Sequence, residues 1–133
     1  MNTEAIRVLV VEDEVYILEN TTFFLEENGF EVFTAISGED ALSFLEGETV
    51  DVGLFDMRLP GMDGDALIQA AYQIDPTIGF LIFTGSTNYQ LPSELRKIGI
   101  SEEQVFFKPM TDMQPLAKAI VKLAAQRSDA SQE

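Results

Sequence analysis

Five polar residues each follow a short run of apolar residues. They are Glu12, Asp13, Asp56, Thr84 and Lys108. If the apolar runs are parallel strands of one sheet, all five side chains lie at its carboxyl edge, where open α/β sheets bind ligands. Three carboxylates, one hydroxyl and one ammonium group suit a divalent metal ion and a phosphoryl group. The sequence therefore predicts phosphoryl chemistry at this edge.

Asp56 is the predicted nucleophile, because a carboxylate can accept a phosphoryl group to give an acyl phosphate. Asp13 and Asp56 are the expected direct ligands of Mg²⁺, and the longer Glu12 is expected to act through water. Lys108 would neutralise phosphoryl oxygens, and the Thr84 hydroxyl would donate a hydrogen bond.

The formal charges of this group are nearly balanced by one metal ion. Three carboxylates and one lysine sum to −2, which one Mg²⁺ brings to zero. Without metal, repulsion is expected to raise the pKa of at least one carboxyl group. Each residue alone could instead be a simple strand-end cap, and Thr84 could form an ordinary turn through its hydroxyl. Their joint occurrence favours a shared site.

Apolar runs alternate with amphipathic stretches, which predicts five successive β–α units and a parallel sheet with helices on both faces. The predicted strands are Ala5–Val11, Phe30–Ile36, Val50–Phe55, Ile78–Phe83 and Val105–Phe107. The predicted helices are Val15–Asn28, Ser37–Leu45, Asp65–Ile74, Pro92–Ile98 and Met113–Ala125. The expected buried face of the first helix consists of Val15, Leu18, Thr22 and Leu25. One domain is predicted over residues 1–125, with a disordered polar tail at residues 126–133.

Composition excludes several classes of function. The 133 residues include 23 acidic and 8 basic residues, a net charge of −15, which argues against nucleic-acid binding. There is no cysteine and no histidine, so disulfides and the commonest zinc ligands are excluded. Neither a signal peptide nor an apolar run of about 20 residues is present. We therefore expect a cytoplasmic protein that does not bind membranes.

The sequence resembles the receiver domain of two-component response regulators over about residues 5–125. Four motifs carry the resemblance: Val10-Val11-Glu12-Asp13-Glu14, Asp56-Met57-Arg58-Leu59-Pro60-Gly61-Met62-Asp63-Gly64, Phe83-Thr84-Gly85 and Phe107-Lys108-Pro109. The resemblance implies a flavodoxin-like, doubly wound, five-stranded parallel sheet in the order 2-1-3-4-5, with helices on both faces.

The resemblance also implies a role for each acidic residue of the pocket. Asp56 becomes the phosphorylation site, and Glu12 and Asp13 form the acidic pocket that binds Mg²⁺. The backbone carbonyl of Arg58 becomes a further metal ligand. Such a protein catalyses only its own phosphorylation and dephosphorylation, and in that sense is not an enzyme.

A switch and its partners follow from the same resemblance. Thr84 becomes the switch hydroxyl, Lys108 the phosphate-sensing lysine, and the Lys108–Pro109 bond is expected to be cis. The phosphoryl donor would be a histidine kinase or a histidine phosphotransfer protein. The face formed by the fourth helix, fifth strand and fifth helix would then change its affinity for a downstream protein, which the sequence does not identify.

The sequence departs from the family at the switch aromatic. Receiver domains usually carry Tyr, Phe or His three residues before the lysine, and here that residue is Val105. Phe107 would point to the same side of the strand as residue 105. It either substitutes for that ring or is a packed core phenylalanine, and the second alternative is favoured because phenylalanine side chains are usually buried. The sequence also predicts that the fourth helix, Pro92–Ile98, is short or irregular.

Two residues beside the site are expected to set the lifetime of the phosphoryl group. Arg58 lies two residues after Asp56, and Ser86 lies two after Thr84. Arg58 could cover the phosphoryl group, pair with Glu14 or be solvated.

Three other functions are compatible with parts of this sequence. A receiver could be an intermediate or a sink in a phosphorelay. A magnesium-dependent aspartyl phosphatase would usually carry Asp where this chain has Arg58. A flavodoxin-like cofactor binder would need a different loop after the first strand, because the acidic residues there would repel a flavin phosphate.

Overall fold

A computed structural model describes residues 4–131, in which strands and helices alternate. The strands are Arg7–Val11 (β1), Glu31–Ala35 (β2), Val52–Phe55 (β3), Gly79–Thr84 (β4) and Val105–Phe107 (β5). The α-helices are Val15–Glu27 (α1), Gly38–Gly47 (α2), Gly64–Ile74 (α3), Ser93–Lys97 (α4) and Gln114–Ser131 (α5). A 3₁₀ turn over Glu102–Gln104 precedes β5 and was not predicted.

The five strands form one parallel sheet in the order β2-β1-β3-β4-β5. The predicted fold class and strand order are therefore confirmed. One hydrophobic core lies between the sheet and helices α2, α3 and α4, and a second lies between the sheet and helices α1 and α5. Strand β3 is buried along its whole length, because helices cover both faces of a doubly wound sheet.

The register of the sheet aligns the strand ends that carry the polar residues. Val11 pairs with Phe55 across β1 and β3, and Thr84 pairs with Phe107 across β4 and β5. The residues that follow these pairs therefore leave the sheet side by side at its carboxyl edge. Within residues 4–131, none of the helices has the length and apolar character to cross a membrane.

The buried face of α1 differs from the prediction at its first residue. Of the predicted face, Leu25 is fully buried, Leu18 and Thr22 are half-buried, and Val15 is 58% exposed, whereas Thr21, which was not predicted to face the core, is buried. Val15 is the first residue of the helix. The three- and four-residue spacing therefore identified the helix but not where its buried face begins.

Helix α5 continues past its predicted end at Ala125 and reaches Ser131. Arg127 lies in this extension and contacts Asp51 at 3.2 Å and Asp75 at 3.3 Å. The prediction of a disordered tail from residue 126 is therefore wrong for residues 126–131, which are helical. Arg127, one of the polar residues behind that prediction, forms ion pairs near the amino ends of the strands. Residues 132–133 of that tail lie outside the described residues.

The end of β5 corrects the interpretation of Phe107. Phe107 is 43% exposed because it is the last residue of an edge strand, so it is not a packed core phenylalanine. Val105, two residues earlier, is half-buried against the core beneath α3 and α4. The short fourth helix is confirmed, since α4 has 5 residues.

Candidate functional site

Backbone hydrogen bonds continue the sheet by one residue beyond three strands. The N–H of Glu12 donates to Ala35 O at 3.1 Å, and that of Asp56 donates to Val11 O at 3.0 Å. The N–H of Lys108 donates to Thr84 O at 2.8 Å. These bonds hold the polar residues at fixed positions, so their side chains meet at the carboxyl edge.

Lys108 bridges two carboxylates of this pocket. Its Nζ lies 2.5 Å from Glu12 Oε1 and 3.4 Å from Asp56 Oδ1. All three side chains are nearly buried, with exposures of 11% for Lys108, 3% for Glu12 and 7% for Asp56. The same ammonium lies 5.5 Å from the ring centroid of Phe83. Burial makes each of these charges dependent on its partners.

Burial raises the pKa of Glu12. Its hydrogen bonds to Lys108 and to the backbone N–H of Glu14 lower the pKa, and repulsion from Asp56 raises it further. The expected rise in one carboxyl pKa is therefore present. Its main cause is loss of hydration rather than repulsion between carboxylates.

The three carboxylates are close enough to share a metal ion. Oxygens of Glu12, Asp13 and Asp56 lie within 4.8 Å of one another, and Asp13 is exposed. An all-oxygen donor set with one solvent-facing carboxylate matches the preference of Mg²⁺ for carboxylates and retained water. The residues present therefore fit this ion.

The loop after Asp56 is held by its own backbone. The N–H of Arg58 donates to Asp56 Oδ1 at 3.2 Å, which orients the carboxylate. Gly64, at the start of α3, donates to Met57 O at 3.1 Å. A Cβ at Gly64 would lie 2.6 Å from Asp56 O, so only glycine allows α3 to pack this closely on the loop.

Thr84 is buried, and its hydroxyl already has a local partner. Thr84 is 1% exposed, and its Oγ1 accepts a hydrogen bond from the N–H of Ser86 at 3.1 Å. The turn interpretation of Thr84 is therefore correct, and it coexists with a position beside the pocket. The Lys108–Pro109 peptide bond is cis, which is what the resemblance implied.

An open cavity of about 430 Å³ leads to these groups. Asp13, Asp56, Arg58, Ser86 and Lys108 are among its lining residues. Val105 is not, so the structure does not bring that predicted switch position into the cavity.

Arg58 and Glu14 both line this cavity without pairing. The ion pairs found among the described residues do not join them. Arg58 is exposed, and the alternative in which it pairs with Glu14 is not formed among the described residues.

Two long-range side-chain contacts had no signal in the sequence. Glu12 was expected as a metal ligand, and nothing local indicated that it would pair with Lys108, 96 residues away. Likewise, Tyr89 was not singled out, yet its hydroxyl donates to Asp65 at the start of α3. Both contacts join segments that only the sheet topology brings together.

The fold and the pocket define a flavodoxin-like α/β domain with an acidic, lysine-containing site at the carboxyl edge of its sheet. The chain belongs to the response regulator receiver domain family, whose model matches residues 8–121. It is therefore a phosphorylatable receiver domain of the two-component response regulators. Receiver domains accept phosphoryl groups, bind Mg²⁺ at an acidic pocket and interact with histidine kinases or phosphotransfer proteins.

Curated and structural relatives agree with this assignment. Sporulation initiation phosphotransferase F of Bacillus subtilis (strain 168) is 30% identical over 125 residues, covering 92% of this chain and 97% of that protein. Several other curated relatives are longer, and the chain spans only 28% to 49% of their length.

Two solved structures illustrate the structural likeness. A response regulator receiver domain protein from Clostridium thermocellum has a TM-score of 0.81 at 31% identity, covering 92% of this chain and 97% of that one. The response regulator protein TrrA from Thermotoga maritima, in complex with Mg(2+)-BeF, has a TM-score of 0.76 at 25% identity, covering 89% and 98%.

Proposed function

We propose that Asp56 accepts the phosphoryl group, and that the donor is a phosphohistidine of a histidine kinase or histidine phosphotransfer protein. The observation that carries this proposal is the position of Lys108, whose ammonium lies 3.4 Å from Asp56 Oδ1 within a cluster of three carboxylates. A nearly buried carboxylate beside one ammonium and an open cavity is accessible to a donor from one side.

The reaction is a simple displacement at phosphorus. An oxygen of Asp56 forms a bond to phosphorus, the bond from phosphorus to the donor imidazole breaks, and its electron pair stays on the imidazole nitrogen. The N–H of Arg58 holds the Asp56 carboxylate through Oδ1, and Lys108 neutralises the incoming oxygens. Positioning and neutralisation are the main requirements for this class of transfer.

We propose Mg²⁺ as the cofactor of this step. Glu12, Asp13 and Asp56 would hold it, and the Arg58 backbone carbonyl is proposed as a further ligand. When bound, the ion would neutralise charge on the phosphoryl oxygens. The likeness to TrrA, which was solved with Mg(2+)-BeF, supports this proposal.

The proposed output is a change on the face formed by α4, β5 and α5. Thr84 and Lys108 would turn towards the new phosphoryl group, and the segment after β4 would follow. Val105 provides no aromatic ring for this movement, and Phe107 lies partly exposed on the edge strand. The proposed partner is a downstream protein that binds this face.

The first experiment is phosphorylation by acetyl phosphate, read by intact mass. We expect a gain of one phosphoryl group that requires Mg²⁺ and disappears in Asp56→Asn. Asp40→Asn is the matched control, because Asp40 is exposed at the start of α2 and should leave the gain intact. A gain that survives Asp56→Asn, or no gain when Mg²⁺ still binds, would contradict the proposal.

A role as a phosphorelay intermediate is the second candidate. It is favoured by the match to a named phosphotransferase over 97% of that protein's length. Incubating the phosphorylated protein with a histidine phosphotransfer protein tests it, since an intermediate passes the group on whereas a terminal receiver retains it. The phosphatase alternative lacks such support, because Arg58 stands where the general acid is expected.

A further inference from the structure

One long-range hydrogen bond joins the segment after β4 to the start of α3. The Tyr89 hydroxyl donates to Asp65 Oδ1 at 3.1 Å, across 24 residues of sequence. Both residues are half-buried, and the Tyr89 ring packs against the core beneath α3 and α4. Asp65 is the second residue of α3. The hydrogen bond therefore joins the loop after β4 to the first turn of this helix.

On the Tyr89 side, a series of hydrogen bonds leads back to the switch hydroxyl. The N–H of Tyr89 donates to Ser86 O at 3.2 Å, and the N–H of Ser86 donates to Thr84 Oγ1 at 3.1 Å. Thr84, Ser86 and Tyr89 therefore form one hydrogen-bonded turn. Movement of Thr84 would carry the rest of the turn with it.

On the Asp65 side, the helix start is fixed against the loop that carries Asp56. Gly64 packs so closely there that a Cβ would lie 2.6 Å from the backbone oxygen of Asp56. Asp63 caps the helix by accepting from the N–H of Ala66 at 2.9 Å. Asp65 is therefore a rigid anchor, whereas Tyr89 belongs to the segment that must move.

The electrostatic surroundings keep the tyrosine as the donor. Burial raises the pKa of Tyr89, and the neighbouring Asp65 carboxylate raises it further. Burial also raises the pKa of Asp65, with smaller contributions from Asp63 and Glu94 and an opposing one from the Tyr89 hydrogen bond. At neutral pH the phenol therefore retains its proton.

We infer that Tyr89 and Asp65 form a tether that holds residues 85–92 in the resting position and opposes movement of Thr84 towards a phosphoryl group on Asp56. This inference rests on the proposed function. Thr84 would move towards such a group together with the turn that it forms with Ser86 and Tyr89, and that movement would pull the Tyr89 hydroxyl away from Asp65. Tyr89 thus supplies the mobile end of the tether from the loop itself, while the position of β5 that usually carries the switch aromatic holds Val105.

Tyr89→Phe tests the tether because it removes only the hydroxyl. With Mg²⁺ in excess, we expect the variant to bind beryllofluoride, a mimic of the phosphoryl group, about fivefold more tightly, as expected for loss of one net hydrogen bond from the resting state. Tyr72→Phe is the matched control, since Tyr72 packs against the same core and its hydroxyl has no hydrogen bond within the described residues. Unchanged or weaker binding by Tyr89→Phe would overturn the tether.

A double-mutant cycle separates the tether from unrelated effects. Asp65→Ala should tighten binding as Tyr89→Phe does, and the double variant should gain little more, because both remove the same bond. Independent, multiplying effects would show that the two residues act separately, and would also overturn the inference.

Amide hydrogen exchange measures the tether without any phosphoryl mimic. In the free protein, Tyr89→Phe should accelerate exchange in residues 85–92 severalfold relative to Tyr72→Phe. Unchanged exchange would overturn the tether whatever the chemistry of Asp56. Failure of the parent protein to bind beryllofluoride would overturn the proposed function and the opposing role of the tether, even if exchange responded.

Discussion

Glu12 shows how one residue of the pocket balances opposing effects. The Glu12 side chain is 3% exposed, a placement that is costly unless the charge is paired. Lys108 provides the partner, so removing the lysine would leave a buried, uncompensated carboxylate, which is strongly destabilising. The pair therefore keeps the acidic pocket folded while Lys108 also stays in reach of Asp56.

Arg58 is the cation at the mouth of the pocket, and it carries a prediction about the phosphoryl lifetime. It lines the cavity beside Asp56 and is not held by Glu14. We expect Arg58→Ala to shorten the lifetime of the phosphorylated protein by roughly threefold or more, because the guanidinium can cover the phosphoryl oxygens. The measurement is the decay of phosphorylated mass after removal of the donor.

The control for this measurement is another exposed arginine. Arg96→Ala removes a cation that pairs with Glu102 in the region of α4, away from the cavity, and should leave the decay unchanged. Equal lifetimes in Arg58→Ala and the parent protein would mean that Arg58 is merely solvated.

At the scale of elements, the carboxyl-terminal part of α5 is attached to the opposite edge of the sheet. Arg127 joins Asp51, just before β3, to Asp75, just after α3. Burial raises the pKa of Asp75, but hydrogen bonds from Thr77 and the contact with Arg127 outweigh it, so the net pKa is lowered. The charged form of Asp75 therefore stabilises the native state.

Arg127→Gln is expected to lower the free energy of unfolding by about 1–2 kcal/mol, because two partly buried carboxylates lose their partner. Arg96→Gln is the control and should cost no more than about 0.5 kcal/mol, since its pair with Glu102 is exposed. Denaturant titrations at neutral pH measure both. Equal losses in the two variants would contradict the prediction.

The same contact predicts a dependence on pH. A carboxyl group with a lowered native pKa contributes stability that is present above its unfolded pKa and is lost as pH falls through the native value. The difference between parent and Arg127→Gln should therefore shrink as pH falls below 3.8, the ordinary value for Asp75.

At the scale of the whole molecule, the charges are unevenly distributed. All 8 basic residues lie outside residues 8–57, a stretch that contains Glu12, Asp13 and Asp56. With a net charge of −15, the folded chain experiences self-repulsion that a bound cation would relieve. A magnesium ion in the pocket is therefore expected to stabilise the entire fold.

Adding Mg²⁺ at about 100 times its dissociation constant should raise the melting temperature by roughly 5–10 °C, because binding to the native state alone contributes about 2.7 kcal/mol. Thermal unfolding at constant ionic strength, set with NaCl, separates specific binding from screening. Asp13→Asn should lose most of the shift while remaining folded, because Asp13 is exposed and does not hold Lys108. An equal shift in that variant would place the ion elsewhere.

Local patterns in the sequence were sufficient to predict five strands, five α-helices and the polar residues that meet at the candidate site, but not the 3₁₀ turn before β5 or the full length of α5. The apolar runs that became β1, β3 and β4 and the polar residues after them are adjacent in sequence, so their periodicity and order can be read directly. Because parallel strands end at one edge, Glu12, Asp56 and Lys108 could be expected together before any contact was known.

Only the tertiary structure decided which of these groups pair and which surfaces are covered. The contact of Lys108 with Glu12 spans 96 residues, and that of Tyr89 with Asp65 spans 24. Such contacts depend on how the strands are ordered and how closely the loops pack, which local propensity does not encode. The exposure of Phe107 on an edge strand has the same origin, because burial is a property of the neighbours that the fold brings into place.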